Sequence, residues 1–323
     1  MKAAFVRRFG SEDAFEYGDL PDPRMGPRQV LVRVKAAGIN RGDLFRREGS
    51  YPGAQPAFPF TPGWEVAGVI EAVGPEVKDR QAGQRVVATL PDGGYAELVA
   101  VSRAGTVPLP ESLSFEEGAS IPIVFLTSWY PLVKLARIQP GETALVQAGG
   151  SGVGIAGIQI ARYLGARVFT TAGTDDKVAR ARALGAEAAV NYTRQDFLPE
   201  ALRWSKDAGM NMVLESVGGE VLTKSIAALA PLGSLIVVGN SSRSPVEPDL
   251  AALGAKNASF NRFSLSLQMR LGGVMPELAR IMELCAQGKL RAVVDRTFPL
   301  REAAVAHRYL ADRRNFGKVV LTP

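Results

Sequence analysis

The sequence predicts an α/β protein of two domains: a parallel sheet covered by helices on both faces, and a smaller β-rich domain to which the chain returns. Three observations carry this. Between about residues 121 and 262, six strand patterns alternate with helical ones, and strands joined by helical crossovers run parallel. From residue 2 to about 120 the apolar runs are short and broken by Gly and Pro, as in a compact barrel. The last strand pattern, Lys318-Val-Val-Leu321, needs a partner sheet, which places residues 263–323 back with the first domain.

In chain order, Val30-Leu-Val-Arg-Val34 alternates like a half-buried strand. Val66–Val73 and Arg85–Ala88 continue the pattern, punctuated by Pro62-Gly63, Gly74-Pro75 and Gly83. Asn40–Gly49 reads as a short polar helix, followed by a proline-laden loop to Pro62. A helix is expected from Ile121 to Leu135, then the turn Pro140-Gly141. The tail beyond Phe263 is expected to hold two helices and one strand.

The second domain opens with strand Thr143–Gln147, the turn Ala148-Gly-Gly-Ser-Gly-Val-Gly154, a helical pattern to Leu164 closed by Gly165, and strand Arg167–Thr171. Strand, glycine turn, helix, strand is the opening unit of a dinucleotide-binding sheet. Glycines permit the tight turn and bring backbone N–H groups close to a pyrophosphate, at a helix end carrying partial positive charge. The candidate contacts are Gly149, Gly150, Ser151, Gly152, Val153 and Gly154. The literal fingerprint fits Gly152–Gly157, whereas loop geometry favours a start at Gly149 with Ser151 in the middle position; both registers stay open. Gly154, Gly157 and Ala161 form a small-residue stripe that lets the helix lie against the sheet.

Composition excludes several classes. With 46% apolar and 22% charged residues the chain is globular. No run approaches the roughly 18 apolar residues of a membrane span, and the apolar run after Met1 is too short for a signal peptide, so a cytoplasmic location is expected. The net charge of +6 is scattered without an aromatic-basic stripe, which argues against nucleic acid. One Cys (Cys285) and one His (His307) make neither a disulfide nor an ordinary zinc site. Both are read as helix residues, Cys285 as a small buried hydrophobe.

The order of parts, with Gly63-Trp-Glu-Val-Ala-Gly68, Gly83-Gln-Arg-Val86, the Ala148–Gly154 loop and Gly317-Lys-Val-Val320, resembles the medium-chain dehydrogenase/reductase superfamily over the whole chain. The resemblance implies a GroES-like β-rich catalytic domain (1–120), a Rossmann doubly wound parallel sheet domain (121–262) and a return segment of the first (263–323). Gln84 departs mildly from the Asp usual in the family. Two departures matter more: Asn40 and Trp64 stand where zinc members carry Cys and His, and the four-cysteine structural lobe is missing. Neither an amide nor an indole supplies a zinc ligand. The closest resemblance is therefore to the metal-free NADPH:quinone oxidoreductases and enoyl reductases.

Residue chemistry and resemblance together imply the coenzyme. The acidic residue that grips the NAD ribose is expected about 20 positions past the glycine turn, where Ala172 and Gly173 stand instead. Lys177 and Thr174 are placed to meet a 2′-phosphate, with Asp175 and Asp176 tempering the pull; NADPH is the expected cofactor. The resemblance adds Tyr192 beside the 2′-phosphate, Gly239, Asn240 and Ser241 at the nicotinamide or phosphate end, Thr127 at the nicotinamide, and Lys318 at a phosphate. Without a metal, developing oxygen charge must be met by hydrogen-bond donors, for which Asn40 and Tyr51 are the candidates. Asp43 is read as a cap or ion-pair partner, and Trp64 as filling the vacated metal space.

The expected function is NADPH-dependent, zinc-independent reduction of quinones or α,β-unsaturated carbonyls. Alternatives are an enoyl-thioester reductase and, in another class, an NADPH-binding redox sensor without turnover. The resemblance also implies a homodimer through the edge of the nucleotide sheet, around Ala251–Phe263.

Overall fold

The computed structural model describes residues 1–323, which divide into two compact units, Met1–Ile123 with Gly272–Pro323, and Val124–Leu271. In the first, β1 (Lys2–Val6) and β2 (Phe15–Asp19) form a two-stranded ribbon. The main sheet is organised on β3 (Gln29–Ile39), which is long enough to pair with three other strands. It runs antiparallel to β4 (Glu65–Val73), and beyond that lie β5 (Arg85–Thr89) and β7 (Thr106–Pro108). β6 (Leu98–Ser102) pairs with the first half of β3. The alternating Val30, Val32 and Val34 are buried in one apolar cluster with Val66, Ile70 and Val86. α1 (Arg41–Glu48) leaves β3 directly, started by Asn40 and stopped by Gly49 in the left-handed conformation (φ 76°). Short α2 (Phe115–Ala119) follows.

The expected helix over Ile121–Leu135 is divided. α3 (Pro122–Trp129) gives way to a wider turn, Tyr130–Leu135, in which Ala136 N–H bonds Pro131 O five residues back at 2.8 Å. Pro131 has no N–H to contribute to a helical ladder. In the second unit, β8 (Thr143–Val146), α4 (Gly152–Tyr163), β9 (Arg167–Ala172), α5 (Asp175–Ala183), β10 (Ala188–Asn191), α6 (Phe197–Trp204), β11 (Met210–Glu215), α7 (Glu220–Ala227), β12 (Leu229–Val237), α8 (Leu250–Ala255) and β13 (Ser259–Arg262) alternate as expected. All pairings are parallel, in the order β10-β9-β8-β11-β12-β13. Strand order reverses between β8 and β11, the switch point at whose carboxyl side such sheets bind ligands. Helix α9 (Leu265–Leu271), which has no buried residue, closes this unit.

The tail is richer than expected. After α10 (Val274–Ala286) an additional strand, β14 (Val294–Pro299), lies parallel to the terminal β15 (Lys318–Thr322), with α11 (Ala303–Ala311) between them. Asp295, Arg296 and Thr297 give β14 no apolar run, because it is the edge strand. β15 pairs with β3, which ties the terminus to the first unit. No helix is long and apolar enough to cross a membrane.

Candidate functional site

At the end of β8 the chain turns through Ala148, held in the left-handed region (φ 56°), into Gly149. A side chain on Gly149 would collide with Thr170, and one on Gly154 with the carbonyl of Ala148. Ser151 caps α4, its Oγ accepting from Gly154 N–H at 3.0 Å. Gly149, Ser151 and Gly154 therefore occupy the positions of turn, cap and close approach. The literal run Gly152–Gly157 lies inside the helix, where Gly157 admits Leu214 (2.7 Å from a Cβ). The Gly152 and Val153 N–H groups fall in the first turn, without intrahelical acceptors. The loop thus has the cradle and the donors that a pyrophosphate requires.

A buried polar chain that sequence reading missed holds this turn. Ala148 N–H donates to Thr171 Oγ1 (3.2 Å), which donates to Gln147 Oε1 (2.6 Å). Gln147 Nε2 donates to Ser225 Oγ (3.0 Å), and Ser225 donates to Glu215 Oε2 (2.9 Å). Glu215 Oε1 accepts from Val217 and Gly218 N–H. Burial pushes the Glu215 carboxyl upward, against the pull of these donors. The four side chains come from separate stretches of the chain and share no motif, so only the folded sheet brings them together.

At the far end of β9, Ala172 is buried, and a Cβ on Gly173 would come within 2.8 Å of the Tyr192 hydroxyl. Thr174 caps α5 by accepting from Lys177 N–H at 3.2 Å. Gly173, Thr174, Lys177 and Tyr192 are thus gathered at one strand end. Thr127 is buried on α3. Gly239 and Ser241 follow β12; Ser241 N–H bonds Ser216 O at 3.0 Å. The Asn240 amide, expected at the nicotinamide end, is engaged within its own loop. It donates to Ser244 O (2.6 Å) and accepts from Ser242 Oγ (3.1 Å), which makes it a loop-shaping residue.

In the first unit the largest correction concerns Lys318. Expected at a cofactor phosphate, it is buried, and its three ammonium protons are matched by Ile39 O (2.7 Å), Asn40 Oδ1 (2.8 Å) and Glu65 Oε1 (2.7 Å). A saturated ammonium has no donor left for a phosphate. Asn40, expected to steady an oxyanion, bridges the same pair. Its Oδ1 faces Lys318 and its Nδ2 donates to Glu65 Oε1 at 2.8 Å, which leaves one amide hydrogen. Glu65 Oε2 accepts from Ile123 N–H at 2.8 Å. Asn40 therefore bridges a buried ion pair between Lys318 and Glu65. No group of three or more His, Cys, Asp or Glu side chains is placed to hold a metal.

Tyr51 is half-buried beside Trp64 (ring centroids 5.0 Å, edge-on), and Trp64 occupies the space that any side chain on Gly42 would need. Burial, then the Asp43 charge, pushes the Tyr51 phenol up, so it stays protonated and able to donate. Asp43 caps α1 as expected, its Oδ2 accepting Asn40 N–H at 2.7 Å. Tyr95 Oη also donates to Oδ2 (3.0 Å), while Oδ1 has no partner. Burial raises the Asp43 carboxyl to about 7. Behind Tyr95, His307 Nε2 lies 3.1 Å from Oη and Nδ1 lies 3.2 Å from Arg47 Nη1. A guanidinium only donates, so Nδ1 accepts and the imidazole proton sits on Nε2. Burial and then the Arg47 charge hold His307 well below the usual range, neutral and structural. Cys285 is buried, its thiol pushed up to about 12 by burial.

Residues 26–111 match the alcohol dehydrogenase GroES-like domain family and residues 184–321 the zinc-binding dehydrogenase family. A Pseudomonas aeruginosa quinone oxidoreductase is 34% identical over 98% of this chain and 97% of its own length. A component of the phenolphthiocerol/phthiocerol polyketide synthase of Mycobacterium tuberculosis is 35% identical over 97% of this chain, which spans 14% of that much longer protein. Among solved structures, the Escherichia coli quinone oxidoreductase complexed with NADPH superposes with a TM-score of 0.93 at 29% identity, with both chains fully covered. An NAD-dependent alcohol dehydrogenase reaches 0.92 at 36% identity, again over both full chains.

Proposed function

We propose, because the chain belongs to the medium-chain dehydrogenase/reductase superfamily, in its zinc-independent quinone oxidoreductase branch, that it is an NADPH-dependent reductase of quinones or α,β-unsaturated carbonyls. One observation carries the reading. Asn40, which the resemblance sets at the place of a zinc ligand, is engaged by the buried Lys318–Glu65 pair, while the strand end beyond Gly149–Gly154 offers Gly173, Thr174, Lys177 and Tyr192 with no acid at Ala172. When bound, NADPH would supply the hydride, and the loop from Gly149 to Gly154 would hold its pyrophosphate on first-turn N–H groups. Tyr51, kept protonated by its burial, donates to the substrate oxygen as charge develops there. Asn40 has one amide hydrogen left and plays the lesser part. Trp64 bounds Tyr51 on one side.

A second reading, enoyl-thioester reduction, is favoured by the polyketide synthase relative. An initial-rate panel decides between them: NADPH against NADH, with a simple quinone, an enone and an enoyl thioester. The proposal expects NADPH to be preferred about tenfold or more, from a charged hydrogen bond. It expects Tyr51→Phe to slow enone reduction about 10²-fold, within the range for a lost proton donor, and quinone reduction less. NADPH binding with no acceptor reduced would make the protein a redox sensor. Equal use of both coenzymes would overturn the coenzyme assignment. β13 is the last strand of its sheet, and the proposal includes a homodimer through that edge, read by sedimentation.

A further inference from the structure

The strand end assigned above to the phosphorylated ribose carries a carboxylate that opposes it. Asp175 is the first residue of α5, where a negative charge suits the helix end but repels a nearby phosphate. The structure shows how that charge is met. Asp175 Oδ1 accepts from Asn191 Nδ2 at 2.6 Å, and Oδ2 lies 2.5 Å from Arg194 Nη1. Asn191 is itself fixed, its Oδ1 accepting the N–H and O–H of Thr193 at 3.1 and 2.7 Å, and its carbonyl accepting Arg194 N–H at 3.1 Å. The turn Asn191–Arg194 therefore does two things. It sets Tyr192 over Gly173, and it delivers a guanidinium onto Asp175. The next acid, Asp176, is met separately by Arg180 at 3.6 Å.

This pair does little for the fold. Arg194 is 72% and Asp175 57% exposed, and exposed ion pairs contribute little stability. Its effect falls on the local field at Gly173, Thr174 and Tyr192. We propose that Arg194 is a specificity-determining residue for the phosphorylated cofactor, acting by cancelling the charge of Asp175. This rests on the NADPH reading. With the guanidinium removed, the Asp175 carboxylate faces the 2′-phosphate unmasked; with both charges removed, the repulsion is gone.

Calorimetric titration of the full chain with 2′,5′-ADP and with 5′-AMP tests this without turnover. In the unaltered protein 2′,5′-ADP binds more tightly. Arg194→Gln weakens 2′,5′-ADP about five- to tenfold, as expected for an unmasked like charge nearby in a largely aqueous field, and changes 5′-AMP by less than about twofold. Arg194→Gln with Asp175→Asn recovers most of the loss, and all variants melt together. An unaltered protein that does not prefer 2′,5′-ADP overturns the NADPH reading and this inference with it. A preference that survives Arg194→Gln overturns the inference alone. A loss that Asp175→Asn does not recover assigns Arg194 to direct phosphate contact and overturns charge cancellation.

Discussion

Glu65 and Asp43 are both fully buried in the first unit, and the chain treats them in opposite ways. Glu65 is surrounded by donors: Lys318 and Asn40 on one oxygen, Ile123 N–H on the other. Asp43 touches no cation; two donors share its Oδ2 and its Oδ1 has none. A buried charge is retained only when paired and hydrogen-bonded; otherwise the group shifts toward its neutral form. Glu65 has its cation and donors, whereas Asp43, without a cation, is raised to about 7 by burial. The bare Oδ1 is where the Asp43 proton would sit. The ion pair fixes Asn40, while Asp43 caps the helix that Asn40 begins.

The largest test removes the cation. Lys318→Met leaves the buried Glu65 carboxyl without its cation, and breaking such a pair costs ~3–5 kcal/mol. Chemical denaturation at neutral pH should show that loss, with part of it recovered by adding Glu65→Gln. A Lys318→Met protein as stable as the parent would erase the distinction between the two carboxylates.

The second test is pH. The folded state raises the Asp43 carboxyl from 3.8 to about 7, so it binds a proton that the unfolded chain has released. The contribution of this group is complete below about pH 4 and is lost as pH rises to about 7. Asp43→Asn mimics the protonated acid. Its stability relative to the parent should grow between about pH 4 and 7 and level off above, reaching about 4 kcal/mol for a shift of some three units. A gap that stays constant over pH 4–8 would mean that Asp43 is ionised throughout the range in the native protein.

What is legible in the sequence follows the same division. Local patterns announce themselves: the glycine turn, the six alternating strands, the cap at Asp43 and the returning Lys318–Leu321 strand all lie within short windows. The register at Gly149 is ambiguous in the sequence because adjacent glycines satisfy two spacings; the fold places the cap at Ser151. β14 escapes a pattern search because an edge strand needs no apolar run, and Pro131 divides a helix that its apolar neighbours make look continuous. Lys318 is misplaced by its sequence context for a different reason. Its partners Ile39, Asn40 and Glu65 are 279, 278 and 253 residues away, and only the antiparallel pairings of β15 and β4 with β3 bring them together. Glu65 itself sits inside Gly63-Trp-Glu-Val-Ala-Gly68 and passes as a family marker. His307 and Tyr95, 212 positions apart, offer no spacing at all.

Tyr95 offers the finest test of the arrangement around Asp43. Its hydroxyl accepts from His307 Nε2 and donates to Asp43 Oδ2, so it carries the one side-chain donor that favours the charged acid. Burial, then the Asp43 charge, pushes the Tyr95 phenol well above its ordinary value, so it acts as a donor at every working pH. Tyr95→Phe removes the oxygen and leaves His307 Nε2–H buried without an acceptor, at about 1–3 kcal/mol. It also withdraws a bond that lowers the Asp43 carboxyl. The upper end of the pH-dependent stability loss should therefore move above 7, while Tyr95→Phe combined with Asp43→Asn should show no pH-dependent component from this site. Carboxyl carbon shifts followed by NMR across pH 5–9 read the Asp43 midpoint directly. A midpoint that falls in Tyr95→Phe would mean that the hydroxyl stabilises the protonated acid, accepting from Asp43 rather than donating to it.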